Sequence, residues 1–220
     1  MNEMQCTGAY PNLKCTVGPQ DWDVSQPANP AFGPGEFNAS TANDLIVQLR
    51  SGDASTWDVA NKHNAERAEV DGYKYPVPFG TDVWLKFGLL IEPGPKVTSP
   101  WCVLGQLHPY NVAASPGWAQ DFGDEVFSII VRNNPDVPQK IFFDPDFERG
   151  RVYQFLYHLR AGTDGCCNVW RDGVEIVKYA GALSYPDTVG PYWKFGIYRY
   201  PALETLIVHY QDLQIRPTSS

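Results

Sequence analysis

Tyr192-Trp193-Lys194-Phe195-Gly196-Ile197-Tyr198-Arg199-Tyr200 is the stretch on which the fold turns. It is rich in aromatic and β-branched residues and follows a Gly190-Pro191 turn, so it reads as a strand. Side chains on a strand alternate between its two faces. Trp193, Phe195 and Ile197 then form a core face, with Arg199 on the same side. Tyr192, Lys194, Gly196, Tyr198 and Tyr200 form the other face, which carries a cation, a gap and several phenols. A merely solvated face would not usually collect so many tyrosines, and a glycine inside a strand often marks close approach of a ligand.

Working outward, residues 44–50, 83–91, 101–108, 125–132, 151–160 and 205–215 also read as strands. Asp172-Gly173, between two further short strands, is the strongest hairpin signal in the chain. The strands number about nine, with no long amphipathic helix between them. Residues 1–41, rich in Pro, Asn and Gly, read as an irregular N-terminal arm packed on the body. Residues 42–217 read as one domain. The expected fold is all-β, a single β-jelly roll of two packed antiparallel sheets with a concave polar groove.

Composition agrees. The 220 residues suit one large domain, and 43% hydrophobic with 14% aromatic residues supports a substantial core. A charged fraction of 19%, with 19 Gly and 19 Pro, favours short strands joined by turns. The net charge of -8 opposes nucleic acid and anionic membranes. An anionic polysaccharide would need a local cluster of cations. No apolar run is long enough to span a bilayer, and residues 1–5 lack a charged-then-apolar leader. Five cysteines leave at least one unpaired. Cys6 and Cys15 flank a short Pro-containing loop and are placed to close a disulfide, which suits an extracellular protein. The expected form is a secreted monomer.

The same alternation sets Gln106 and His108 on a face opposite Val103 and Leu107. It sets Arg67 and Glu69 opposite Ala68 and Val70. Three strands thus each put polar, catalytically able residues on one side, which points to a polar, concave sheet surface. His63 and Asn64, in a loop just before Arg67, are within reach of that surface. Tyr110 and Trp118, on loops, are candidates for stacking on sugar rings. His158 and His209 fall within alternating strands, where hydrogen-bonded structural histidines are the rule. The acidic runs 121–125 and 144–146 offer carboxylates to a structural Ca2+, without the spacing of a defined loop.

Gln106-x-His108, Arg67-x-Glu69 and Lys194-x-Gly196-x-Tyr198 resemble the motif set of jelly-roll polysaccharide lyases, within the alginate lyase superfamily. The spacing of Glu66-Arg67-Ala68-Glu69, the Trp170-Arg171-Asp172-Gly173 hairpin and the closing Tyr210-Gln211-Asp212 are most similar to the heparin lyase I-like and glucuronan lyase group. The resemblance runs from about residue 66 to about residue 215 and leaves out the arm. It implies β-elimination across C4 and C5 of a uronic acid, giving 4,5-unsaturated uronate ends and requiring no cofactor. Arg67 and Gln106 would neutralise the carboxylate, so that the C5 proton becomes acidic. His108 or Tyr198 would take that proton, and Tyr198 would protonate the leaving O4. Lys194, Glu69, Tyr192, His63 and Asn64 would bind substrate, Glu69 chiefly by orienting Arg67.

In glucuronate the C5 hydrogen and O4 share a side of the ring, so one tyrosine can serve as base and acid in turn. In iduronate they lie on opposite faces, and His108 becomes the expected base. Alginate lyases usually carry a second arginine two residues after the glutamate. Asp71 stands there in this chain and argues against alginate. The expected substrate is glucuronan or another glucuronate polymer, with glycosaminoglycans next. A non-catalytic carbohydrate-binding jelly-roll module would need the aromatics but not the Gln, His, Lys and Tyr set. A glycoside hydrolase would need paired carboxylates, which no strand presents in that manner.

Overall fold

A computed structural model describes residues 2–7, 14–24, 37–41, 44–134 and 137–217. In chain order its strands are β1 (Asn2–Thr7), β2 (Lys14–Val17), β3 (Gln20–Val24), β4 (Phe37–Thr41), β5 (Asp44–Leu49), β6 (Glu66–Asp71), β7 (Asp82–Ile91) and β8 (Cys102–His108). They continue with β9 (Trp118–Asp121), β10 (Phe127–Val131), β11 (Gln139–Asp144), β12 (Val152–Arg160), β13 (Cys166–Arg171), β14 (Val174–Ala180), β15 (Tyr192–Arg199) and β16 (Leu206–Pro217). One short helix, α1 (Thr56–Ala60), precedes β6.

The strands follow one path, β11-β10-β9-β8-β15-β6-β3-β2-β1-β16-β7-β12-β13-β14, with β5 added to β16 and β4 to β5. The β11-to-β3 half is one sheet and the β16-to-β14 half the other, joined through β1 and β2. The result is a jelly roll, nearly closed. Its core lies between the sheets. Trp193, Phe195 and Ile197 of β15 are buried there, as their spacing implies. Phe195 meets Phe87 of β7 and Tyr210 of β16, with ring centroids 6.2 and 5.9 Å apart. Each such buried side chain contributes roughly 1.5–3 kcal/mol.

Gly196 answers a different need from the one read in the sequence. Its φ is +143°, and a Cβ there would meet the carbonyl oxygen of Ala68 at 2.1 Å. The glycine permits close approach of the β6 backbone and leaves no slot for a ligand. Beside it the register between β15 and β8 shifts, between Phe195 and Tyr198. The Tyr210 hydroxyl crosses the core to the carbonyl oxygens of Gly196 (2.7 Å) and Leu104, satisfying carbonyls at that irregularity. The Asp172-Gly173 turn joins β13 to β14 with φ of 52° and 80°, as a two-residue hairpin requires.

The stretch read as an irregular arm is sheet wherever it is described, apart from the Gly18-Pro19 turn. Met4, Cys6, Cys15, Val17 and Trp22 alternate inward, and Cys6 is bonded to Cys15 between the paired strands β1 and β2. β1 adds to β16 and β3 to β6, so these strands complete both sheets. Trp22 stacks on Phe195 at 6.1 Å. The boundary expected after residue 41 falls between β4 and β5, which pair with each other. These strands are short and interrupted by Pro and Gly, and β1 and β3 pair with distant partners, so composition hid them.

Candidate active site

The groove is floored by β8, β15 and β6, whose registers align its polar side chains. Arg67 lies opposite Tyr198, Glu69 opposite Gly196, and Asp71 opposite Lys194. Across the other edge of β15, Lys194 faces Gln106 and Tyr192 faces His108.

Arg67 is the hub. Its Nε and Nη2 donate to both oxygens of Asp58 (2.9 and 3.0 Å), and Nη1 donates to Glu69 Oε2 (3.1 Å). The guanidinium lies over the Tyr198 ring, 4.0 Å from its centroid. Burial acts to lower the Arg67 pKa, but Glu69 and Asp58 outweigh it and raise it. Gln106 Nε2 donates to the other oxygen of Glu69, and Lys194 Nζ stands 3.8 Å from Oε2. Gln106 Oε1 is buried with no hydrogen-bond partner among the described residues. Most donors expected to meet a substrate carboxylate are thus already engaged by Asp58 and Glu69. Arg67 and Gln106 present only their remaining N–H groups.

Asp58 comes from α1, and no reading of the sequence singled it out. Ser55 caps that helix: its hydroxyl accepts from the Asp58 N–H (3.1 Å) and donates to the Asp58 carboxylate (2.5 Å). The Ser55-x-x-Asp58 spacing is the capping signal that could have found the helix. That Asp58 turns inward has no such signal. Burial raises the Asp58 pKa, but Arg67, Ser55 and His63 together hold it below the usual carboxylate value.

His63 sits in the turn after α1. Its Nδ1 is 3.1 Å from Asp58 Oδ1 and its Nε2 is 3.4 Å from the Tyr198 hydroxyl. An ionised carboxylate only accepts, so Nδ1 carries a proton. In the neutral ring Nε2 is then the acceptor for the phenol. Burial pushes the Tyr198 phenol above its ordinary pKa and keeps it protonated, while the Arg67 charge pulls the other way, toward phenolate. Trp101 packs on the Tyr198 ring at 4.8 Å. Asn64 is exposed in the same turn as His63.

His108 lies at the other end of the groove. Its Nδ1 donates to the Pro109 carbonyl (2.8 Å), which leaves Nε2 unprotonated. Burial, then the nearby Lys194 charge, pushes its pKa down to about 4. Its ring stands 5.4 Å from that of Tyr192. Tyr73 stacks on Tyr110 at 4.5 Å, and both set an edge against Tyr192. Trp118 is buried in the core and does not reach the groove.

The structure thus brings Arg67, Glu69, Gln106, Lys194, Tyr198 and His63 into one bonded network, with Tyr192 and His108 beside it. Three carboxylates of the acidic runs are engaged within the protein. Asp121 accepts the N–H groups of Cys102 and Gly123, Glu125 holds the Val97 N–H and Arg149, and Asp144 holds Arg171 and the Asp146 N–H.

A family model described as polysaccharide lyase matches residues 10–214. The chain belongs to the polysaccharide lyase family. Among curated protein sequences none matches it. Solved lyases share its fold. An alginate lyase of polysaccharide lyase family 7, AlgAT5, is 13% identical with a TM-score of 0.61, over 90% of this chain and 94% of that one. The endo-β-1,4-glucuronan lyase from the fungus Trichoderma reesei is 12% identical with a TM-score of 0.61, over 90% and 87%. The family 7 alginate lyase A1-II′ in complex with substrate is 15% identical with a TM-score of 0.63, over 90% and 93%. At those identities the likeness shows the jelly roll, and the lyase assignment rests on the family match.

Proposed function

We propose that this lyase cleaves a uronate-containing polysaccharide by β-elimination, with Tyr198 as the residue that protonates O4. One observation carries the reading: the Tyr198 phenol donates to His63, whose other nitrogen is held by buried Asp58. On glucuronate, His63 takes the phenol proton as Tyr198 removes the C5 hydrogen. Tyr198 then returns a proton to O4 on the same side of the sugar. Arg67 and Lys194 favour the passing phenolate, and with the remaining Gln106 N–H they favour the enolate-like carboxylate.

Two histidines compete for the role of base. His63 is in contact with Tyr198, whereas His108 is neutral, weakly basic and set beside Tyr192. We therefore favour His63 as the proton partner of Tyr198, and give His108 a part in seating the substrate and in any reaction on iduronate. Glucuronate polymers, glucuronan first and glycosaminoglycans next, are the favoured substrates. Asp71 supports this reading: it faces Lys194 where alginate lyases usually present a cation. The Cys6–Cys15 disulfide supports an extracellular setting.

The test is a panel of glucuronan, hyaluronan, heparin, heparan sulfate, alginate and pectate, read by ultraviolet absorbance of the unsaturated ends. The expected result is signal on glucuronate polymers. Folded protein giving no signal on any uronate polymer would overturn the reading and leave a carbohydrate-binding module.

A further inference from the structure

In the second sheet, β7, β12 and β13 turn Val83, Leu85, Tyr157, Leu159, Cys167 and Val169 to the core. Alternation sends Asp82, His158 and Cys166 to the opposite, outer face, on adjoining rungs: Arg160 pairs with both Asp82 and Cys166, and His158 is the next residue but one. One ligand atom from each of the three lies within 4.8 Å of the others. His158 Nε2 is 2.7 Å from Asp82 Oδ1, and its Nδ1 is 3.9 Å from Cys166 Sγ. Trp84 stacks on the imidazole at 4.6 Å and holds its plane. The Asp82 and His158 side chains keep 33% and 21% of their exposure while Cys166 is buried, so solvent reaches the cluster from its Asp82 and His158 side. The groove uses none of these residues.

A thiol, an imidazole and a carboxylate are a poor set for Ca2+ or Mg2+, which take oxygen ligands, and a good one for zinc-like ions. We propose that Asp82, His158 and Cys166 bind one divalent cation of the zinc class. The Cys166 thiol loses its proton to solvent as the sulfur–metal bond forms. A His158 ring nitrogen and an Asp82 oxygen complete the protein ligands, and water takes the fourth position. Bond lengths of about 2.0–2.3 Å put tetrahedral ligands about 3.3–3.7 Å apart. The cluster therefore closes by about 1.1–1.5 Å at its widest, and Asn168 Nδ2, 3.3 Å from His158 Nδ1, gives way to the ion. Arg160 Nη1, 3.6 Å from Asp82 Oδ2, opposes the cation and keeps affinity below that of a four-ligand structural site. The bound ion ties three neighbouring strands together on a face remote from the chemistry.

The experiment titrates the full chain, disulfide intact, with Cd2+ and Zn2+. Cd2+ is read by its thiolate charge-transfer absorbance, and Zn2+ by calorimetry and thermal melts. The expected result is a Cd2+ band saturating at one equivalent in the wild type and absent in Cys166→Ser. Zn2+ should raise the melting temperature of the wild type but not of Cys166→Ser. In His158→Ala the Zn2+ dissociation constant should rise at least about tenfold. Metal-free melts confirm that both variants fold. No band at one equivalent, a band that persists in Cys166→Ser, or unchanged Zn2+ affinity in folded His158→Ala would each overturn the site.

Discussion

The two ends of the groove are built from the same residue types in opposite ways. At the Tyr198 end, a phenol and an imidazole are wired to buried charge: Asp58 holds both His63 and Arg67, and Arg67 lies over the phenol. At the Tyr192 end, a phenol and an imidazole stand among rings, with Tyr73 and Tyr110 alongside, His108 Nδ1 donating to a backbone carbonyl and Lys194 as the nearby charge. In the proposed reaction the first arrangement moves protons, because each transfer has a charged neighbour to stabilise it. The second keeps its histidine neutral and offers apolar surface to a sugar ring. Residue type alone therefore does not say where proton transfer occurs; the partners do.

The sharpest way to break this contrast is Tyr198→Phe. It removes one hydroxyl and leaves the ring packed on Trp101, so the fold should melt as before. Turnover on the responsive polymer should fall by about two to four orders of magnitude. Retention of more than about a tenth of the wild-type rate would take Tyr198 out of the chemistry.

Next come the histidines, assayed side by side. His63→Ala should lower kcat by about a hundredfold on a glucuronate polymer, the low end of acid–base losses. His108→Ala should act mainly on KM, with kcat within about tenfold of wild type, short of such a loss. If His108→Ala proves the more damaging to kcat on glucuronate, the two ends have been assigned the wrong way round.

Stability against pH gives a third comparison. His108 titrates near 6.5 when unfolded and at about 4 in the fold. Between those values the unfolded chain binds more protons, so this residue makes stability rise with pH and fall as the solution is acidified. The loss amounts to at most about 3 kcal/mol by pH 4, from the size of the shift. Denaturant midpoints measured from pH 7 to 4 should fall less steeply in His108→Gln. An unchanged slope would mean that His108 is not held neutral.

The smallest effect concerns the ring surface. Tyr73→Ala removes the ring stacked on Tyr110 and set edge-on to Tyr192, worth roughly 0.5–1.5 kcal/mol for an aromatic pair. KM should rise by about two- to tenfold with kcat unchanged, as the same energy implies. A change in kcat instead would tie this end to the chemistry after all.

Much of the groove was legible because a strand's alternation is local. The facing of Arg67 and Glu69, of Gln106 and His108, and of Lys194 and Tyr198 depends only on a period of two, and so does the core face of Trp193, Phe195 and Ile197. The Asp172-Gly173 turn was legible for the same reason, since its backbone demand is met within two residues.

The rest was decided by contacts between residues far apart in the chain. Gly196 invited a reading as space for a ligand, but the carbonyl of Ala68 on the paired strand is what forbids a side chain there. The strands described within residues 1–41 were too short to declare themselves, and β1 and β3 are held by adding to the distant β16 and β6. Asp58 became the holder of Arg67 and His63, and His63 rather than His108 the neighbour of Tyr198, only when α1 was set against β6 and β6 against β15. The sequence by itself determined which side chains share a face, since that follows from backbone geometry a few residues long. The tertiary structure decided which of them are charged, paired or neutral, since those depend on burial and on partners that only strand pairing brings near.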